Sequence, residues 1–344
     1  MTIAGTVATT AVSGALNTSQ TYIRPSLQNP NTPGVPELIF ADIHHYMAAC
    51  FESDEACSLF NGGKANQAGR LFRKAFTNIE FVIRREDPDT LQRIVRILAI
   101  ILRYGYNNII NIMCRYFVEF ATQIHIQTHP LPHIFRHLLK HMTLDALDYK
   151  SLIIFISKSI SNLTESTLGR YYYEAYWIQD DMMKVMRDLG DEKSVDCLAC
   201  DLSRECDREL GPQTSQALYT LESWAWQLLL LGHFSDAEVV GQELIKRSSI
   251  GSPLLTIGYG IVAIAQAEQR DFIRAEHNLR QAQDLEDLLK KEVGSYGAGS
   301  FTRQCQLWLV YCLDEQSRFE EADALYAERE SYYESDELRK FDEV

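Results

Sequence analysis

The sequence predicts an all-α protein, an α-α superhelix in which antiparallel helix pairs stack as a solenoid. Helical periodicity begins near Glu37 and continues almost to the C-terminus, and patterns typical of strands are nearly absent. A short sequence motif also recurs, which has a polar turn, an aromatic or small residue, an alanine and later bulky apolar positions. Its copies lie at 62–75, 232–244, 269–282 and 316–328. An apolar stretch of helical length precedes each copy, so each predicts a helix pair that buries its inner face only by stacking.

Composition is typical of a folded chain without membrane segments. The 344 residues are 46% hydrophobic and 23% charged. The apolar run Ile94 to Leu102 is interrupted by Arg96, and a membrane helix needs about 18 apolar residues. Residues 1–36 lack the basic start and continuous apolar core of a secretory signal, and we expect a disordered leader there. The eight cysteines have scattered spacings, which suits reduced thiols in the cytoplasm or nucleus.

The charge pattern divides the chain. The net charge is −14, but bases exceed acids between Lys64 and Thr143, and the negative excess follows. We therefore predict a basic half at 37–165, an acidic half at 166–333 and an acidic tail at 334–344. The net charge disfavours broad binding to nucleic acid or anionic membranes. The nucleic-acid alternative depends on the basic residues Arg70, Arg73, Lys74, Arg84, Arg85, Arg93 and Arg96.

Glycine and proline set the predicted helix boundaries. Turns are expected at 61–63 and at 104–106, where glycine accepts a left-handed backbone. The sequence around Pro88 suits a helix start, and 129–132 predicts a break in the chain. The segment Leu152 to Ile160 has a strand-like composition, but an isolated strand would have no partner, so we predict a helix. Long helices are expected at about 168–189 and 192–210.

The acidic half resembles a known repeat family. The run RELGPQTSQALYTLESWAWQLLLLGHFSDAEVVGQELI, at 208–245, resembles a tetratricopeptide repeat of the kinesin-light-chain type, with a Leu-Gly-Pro connector before the helix pair. The turn glycine is present at Gly232 and is replaced by Arg270 and Ser317 in the later copies. The resemblance implies a tetratricopeptide-like superhelix that binds protein segments.

The basic half carries a second resemblance. The run GGKANQAGRLFRKAFTNIEFVIRREDPDTLQRIV, at 62–95, and the later HPLPHI, at 129–134, resemble the helical region of fungal proteins with a Myb-like N-terminal domain of the cryptic-loci-regulator type. Nothing before Glu37 predicts such a three-helix domain, so a DNA-binding role does not carry over. The resemblance implies, as an alternative function, a part in fungal transcriptional or chromatin regulation through a DNA-binding partner.

A histidine series and a cysteine series are the candidate metal sites. His125, His129, His133, His137 and His141 are spaced by four residues, and imidazoles one turn apart can chelate zinc. Pro130 and Pro132 separate the first two histidines from the last three, and no cysteine or carboxylate within the series completes a metal site. We therefore interpret the series as a polar helix face. A metal-dependent enzyme built on it is the less favoured alternative.

The cysteines at 197, 200 and 206 allow a paired thiol switch or small core residues. They lack the second pair of ligands that zinc would need, and we predict core residues. Cys305 and Cys312, seven residues apart, have ordinary core spacing. No hydrolase elbow, P-loop or dinucleotide fingerprint occurs, and the glycine-rich 294–300 predicts a connector. We therefore expect no enzymatic activity and no cofactor.

The candidate binding surface is the first helix of each pair, which lines the concave face of such stacks. Aromatic residues flanked by charge are typical of interface hot spots. The predicted function is a protein interaction scaffold, with salt-sensitive self-association between the basic half and the acidic tail of another copy as a further expectation. The candidate residues on this surface are Arg96, Arg103, Tyr219, Glu222, Trp226, Trp308, Tyr311 and Glu315.

Overall fold

The computed structural model describes residues 48–50, 52–84, 90–124, 130–142, 149–170, 173–293 and 299–334. All regular structure in these residues is helical, which confirms the all-α prediction. A leading helical segment covers 48–50 and 52–61. The helices that follow are α1 (Ala65–Arg84), α2 (Thr90–Arg103), α3 (Asn107–Ile124), α4 (Pro130–Met142), α5 (Tyr149–Leu168), α6 (Tyr173–Asp188), α7 (Glu192–Leu210), α8 (Ser215–Leu230), α9 (Phe234–Arg247), α10 (Pro253–Glu268), α11 (Phe272–Val293), α12 (Gly299–Glu315) and α13 (Phe319–Glu334).

The chain forms two compact units, unit 1 up to Glu192 and unit 2 from Lys193. The predicted boundary at 165/166 falls inside α5, and unit 1 continues through α6 because that helix packs on α2 and α5. The predicted leader at 1–36, the start around Pro88 and the acidic tail after Glu334 lie outside the described residues. Within those residues, no helix has the length and apolarity needed to cross a membrane.

Unit 1 is organised around α2. Every residue of this helix from Thr90 to Leu102 is buried, and α1, α3, α5 and α6 pack around it. A helix enclosed on all sides needs an apolar surface all round, and the run RILAIIL supplies most of it. Its polar residues find partners instead, and Gln92 donates to Oγ of Ser157 in α5 at 2.7 Å. The segment 152–160 lies within α5, as predicted.

Unit 2 contains the predicted stack of helix pairs. Each helix from α8 to α13 packs on the next, and the first helices of successive pairs, α8, α10 and α12, also contact one another. The alanine of the recurring motif is buried in each of the last three copies, at Ala237, Ala275 and Ala322. A small residue there lets the second helix of a pair approach its neighbours closely.

The turns of these three pairs share one backbone conformation. The φ angle is 79° at Gly232, 64° at Arg270 and 61° at Ser317. In each turn the next amide closes the helix end, as when Asp271 N donates to Gln266 O at 2.9 Å. This left-handed closure is the usual end of a helix, and glycine adopts it most easily. The three positions that the repeat aligns by sequence are therefore structurally equivalent.

Candidate functional site

The two arginines predicted for a binding face are engaged inside unit 1. Arg96 is buried in α2, and its guanidinium pairs with the carboxylate of Asp188 at the end of α6. Arg103 pairs with Asp54 and also donates from Nη1 to Asp188 Oδ1 at 3.3 Å. The prediction that Arg96 faces an open groove is thus wrong, because α2 is enclosed and its charge needs an internal partner. Arg103 is partly exposed, but it holds two acids of its own unit.

The same region concentrates further charges. Arg187 lies 3.1 Å from Asp188, and Lys184 lies 2.5 Å from Asp180. Burial, together with the nearby guanidinium of Arg96, lowers the pKa of Arg187 to about 9. Burial by itself would lower the pKa of Lys184, but the neighbouring carboxylates raise it. The cluster joins α2 to α6 by compensated charge, and we assign it a structural role.

The other basic residues of the nucleic-acid alternative differ in their exposure. Arg93 is buried in α2, and Arg84 packs over the ring of Phe120 at 4.9 Å. Arg85 lies outside the described residues, whereas Arg70 and Arg73 are exposed on α1. Lys74 is exposed one turn after Arg70 on the same helix, so this part of α1 keeps a short exposed basic surface.

The candidate residues of α8 belong in part to the core of unit 2. Tyr219 and Trp226 are half-buried and pack against the apolar cluster that α8, α9 and α10 share. Glu222, on the same helix, is also half-buried. The rings of Tyr219 and Trp226 fill space between helix pairs, so these two aromatic residues contribute to the packing of unit 2.

The candidates of α12 form a more accessible group. Tyr311 is 42% exposed, and its ring meets Phe272 edge-on at 5.8 Å and Trp308 at 5.6 Å. Trp308 is half-buried between two apolar clusters, and Glu315 is exposed one turn further along α12. We call Phe272, Trp308 and Tyr311 the aromatic patch. It holds one exposed tyrosine ring in a fixed orientation.

Sequence reasoning missed a groove in unit 2. Residues of helices α7, α8 and α9 line a cavity of about 400 Å³ that is open to solvent. We call it the α7–α9 groove, and none of its lining residues was a candidate for partner binding. Its lining comprises Asp196, Cys197, Cys200, Asp201, Arg204, Trp224, Leu228, Asp236, Val239 and Val240.

Trp224 is the aromatic residue that lines the α7–α9 groove. It is half-buried, packs against the core of unit 2, and donates from Nε1 to Asp196 Oδ1 at 3.4 Å. Val239 stands on α9 with 64% of its surface exposed. The groove therefore presents an oriented indole and an exposed apolar side chain beside carboxylates.

Two of the three clustered cysteines correct the sequence prediction. Cys206 is buried as expected, but Cys197 is exposed and Cys200 is half-buried, and both line the α7–α9 groove. The signal was available in the spacing, because Val195, Ala199, Leu202 and Cys206 form the buried stripe of α7. Positions 197 and 200 lie off that stripe, beside the acidic residues of the same helix.

The remaining predicted cysteines behave as core residues. Cys305 and Cys312 are buried, which confirms their interpretation as core residues. Burial, with a smaller effect of a nearby glutamate, raises the pKa of each thiol to about 12. None of the eight cysteines, all of which lie among the described residues, forms a disulfide bond. Thiols of such high pKa remain protonated at neutral pH and are poor nucleophiles.

The histidine series lies only partly within the described residues. His133, His137 and His141 fall on α4, and the His133 side chain is exposed. His125 and His129 lie outside the described residues. Over the residues that the structure describes, no group of three or more histidine, cysteine or acidic side chains is arranged to hold a metal ion.

No family model and no curated protein matches the sequence. Among solved structures, the chain is similar to the crystal structure of BtubC (BKLC) from P. vanneervenii, with 12% identity, over 84% of this chain and 93% of that chain, at a TM-score of 0.36. The class of protein is defined by the chain's own helices. It is an all-α helical-repeat protein.

Proposed function

We propose that this protein is a non-enzymatic scaffold that binds peptide or protein segments. The observation that carries the proposal is Tyr311, whose ring is 42% exposed and is held edge-on by Phe272 and Trp308. Interfaces draw much of their binding energy from such aromatic anchors. A ring that is already oriented loses little conformational entropy when a partner covers it.

The position of this tyrosine in the repeat supports the proposal. Tyr311 lies on α12, a first helix, and the first helices of successive pairs in unit 2 contact one another. In stacked helix pairs these helices form the shared surface on which an extended segment can contact several repeats. Glu315, exposed on the same helix, adds a carboxylate for a basic or amide group of the partner.

Partner capture tests the proposal. The full chain, Tyr311→Ala and Phe155→Ala are used as baits in extract from the native cell, and captured proteins are then purified and their affinities measured by calorimetry. Phe155 is the matched control, an aromatic residue of unit 1 with 41% exposure. We expect a direct partner whose affinity falls at least about tenfold with Tyr311→Ala and stays unchanged with Phe155→Ala. Equal affinity for all three folded baits would contradict the role of the aromatic patch.

Self-association is a second proposed interaction. It pairs the acidic end of one copy with exposed bases of another, such as Arg70 and Arg73 on α1. Exposed charge pairs weaken with salt, so sedimentation velocity should show a larger species at low salt that dissociates at high salt. A single monomer at low salt and high protein concentration would contradict it. The alternative role in transcriptional regulation would follow only if the captured partner is itself a DNA-binding protein.

A further inference from the structure

We propose that the α7–α9 groove is a second docking site, which takes a basic segment of a partner protein carrying an aliphatic residue next to an arginine or lysine. The lining of this groove shares no residue with the aromatic patch. The inference therefore adds a site and a partner chemistry to the proposed scaffold function, and it is tested independently of that function.

Charge selects a basic occupant. Asp196 and Asp201 from α7 and Asp236 from α9 line the α7–α9 groove, against the single base Arg204. Asp201 and Asp236 are exposed, so their carboxylates are accessible to a cation brought by a partner. The whole chain carries a net charge of −14, which attracts a basic segment before contact and repels an acidic one.

The apolar part of the lining selects an aliphatic neighbour of that base. Leu228 and Val240 are buried beneath the groove, whereas Val239 is 64% exposed at its edge. Trp224 supplies an indole face, which is the aromatic surface that binds guanidinium and ammonium groups best. The hydrogen bond from its Nε1 to Asp196 fixes the ring and places a carboxylate at the ring edge.

Size and rigidity fit a short segment. The cavity of about 400 Å³ lies at the lower end of the range of about 300–1,000 Å³ for ligand pockets, which is room for a few side chains. Its two outer walls are tied together, because Arg247 of α9 donates to both carboxylate oxygens of Asp207 in α7 at 2.8 Å. A groove whose walls are held in place loses less entropy on binding.

Fluorescence anisotropy with defined peptides tests the site. The probe is a fluorescein-labelled peptide of alternating leucine and arginine, and peptides of the same length made of leucine and glutamate or of glycine and arginine are the controls. We expect binding of the first probe, none of the acidic peptide, and at least about tenfold weaker binding of the glycine-arginine peptide. Equal binding of both arginine peptides, or no binding of either, would overturn the proposal.

A pair of double variants separates the groove from general attraction to an acidic protein. Asp201→Asn with Asp236→Asn removes two charges in the α7–α9 groove. Asp284→Asn with Asp323→Asn removes two exposed charges on α11 and α13 and is the matched control. The groove variant should bind the leucine-arginine probe about tenfold more weakly, and the control should bind within about twofold of the wild type. Equal losses in both variants would refute a defined site.

Thiol protection gives a readout that needs no variant. Cys197 is exposed and lines the α7–α9 groove, whereas Cys50 is half-buried in unit 1. Alkylation by N-ethylmaleimide, followed by mass spectrometry, should slow several-fold at Cys197 when the probe is saturating and stay unchanged at Cys50. Unprotected Cys197 in the presence of bound probe would overturn the proposal. The Tyr311→Ala variant should bind this probe normally, so failure here is distinct from failure of the aromatic patch.

Discussion

Arg247 in α9 donates from Nη1 to both carboxylate oxygens of Asp207 in α7, each at 2.8 Å. The same side chain donates from Nε to Glu243 Oε1 at 2.7 Å, one turn back on its own helix. Burial alone would lower the pKa of Arg247, but its hydrogen bonds to Glu243 and Asp207 raise it. One guanidinium thus joins the two outer helices of the α7–α9 groove.

Removing this guanidinium should loosen α7 from α9. Hydrogen bonds to charged groups contribute about 1.5–3 kcal/mol each, so Arg247→Gln should lower the local free energy of unfolding by about that amount. Hydrogen exchange with mass spectrometry should show faster exchange in α7 and α9. Lys246→Gln is the control, because Lys246 is 79% exposed and lies 3.6 Å from Glu243. Equal effects of both substitutions would show that the link to Asp207 is not stabilising.

Removing the glycine from one left-handed turn should destabilise the fold, whereas adding a glycine to either of the two equivalent turns should stabilise it. Gly232→Ala should cost about 1–2 kcal/mol, because a Cβ is disfavoured at a φ of 79°. Arg270→Gly and Ser317→Gly should raise stability by about 0.5–1 kcal/mol, since they relieve that strain. Thermal unfolding measures all three. The glycine substitutions would contradict the prediction if they lowered the midpoint.

A close approach of α9 to α10 makes Gly241 intolerant of a side chain. A Cβ there would lie 2.8 Å from Val262 Cγ2 and 3.3 Å from Ile261 Cγ2. Overpacking of this kind costs about 1–3 kcal/mol, so Gly241→Ala should lower the thermal midpoint despite alanine's preference for helix. Gly69→Ala is the matched control, because its Cβ would meet nothing within 4 Å, and it should raise the midpoint. A rise with Gly241→Ala would contradict the close packing.

The buried carboxylate of Asp188 should be indispensable to unit 1. Its side chain is 1% exposed, and Asp188→Asn would leave the buried guanidinium of Arg96 without its counter-charge. Breaking one partner of a buried pair costs about 3–5 kcal/mol. Hydrogen exchange in α2 and α6 should accelerate strongly. Asp191→Asn is the control and should lower the free energy of unfolding of unit 1 by less than about 1 kcal/mol, because the ion pair of Asp191 with Lys158, at 3.3 Å, is partly exposed. Similar effects of the two would argue against the internal role of Arg96.

Acid should weaken the last helix pairs through Glu276. Burial would raise the pKa of this carboxyl, but hydrogen bonds from Gln316, Arg280 and Arg318 hold it below its ordinary value of 4.5. The ionised carboxylate of Glu276 therefore contributes its full stabilisation at pH values above 4.5. This stabilisation is lost as the pH falls from 4.5 through the lower pKa of the folded protein. Glu276→Gln should be less stable near neutral pH and should lose less on acidification. Hydrogen exchange of α11–α13 at about pH 7 and about pH 4 measures this. An unchanged acid response would contradict it.

Much of the fold was predictable because it depends on local rules. Helix α7 was expected at 192–210 and is observed over Glu192–Leu210. The turn residues Gly232, Arg270 and Ser317 were aligned from the repeat, and all have positive φ. Capping geometry and apolar periodicity act within a few residues, so a single chain reveals them.

The candidate site was predicted less well. Trp224 was passed over in favour of its neighbour Trp226, although Trp224 lines the α7–α9 groove. Arg96 was placed on a binding face and is buried. Each of these outcomes depends on which face of a helix meets a distant neighbour, and helices of similar composition give no local signal of that choice.

The amino-acid order thus establishes the helices, their turns and the buried alanines of the repeat, because these follow from backbone sterics and from contacts between residues a few positions apart. Whether a charged or aromatic side chain is enclosed or open depends on packing between distant segments. Asp188 pairs with Arg96 across 92 positions, and Trp224 with Asp196 across 28. Long-range packing therefore decided that Arg96 is internal and that α7, α8 and α9 leave a groove between them.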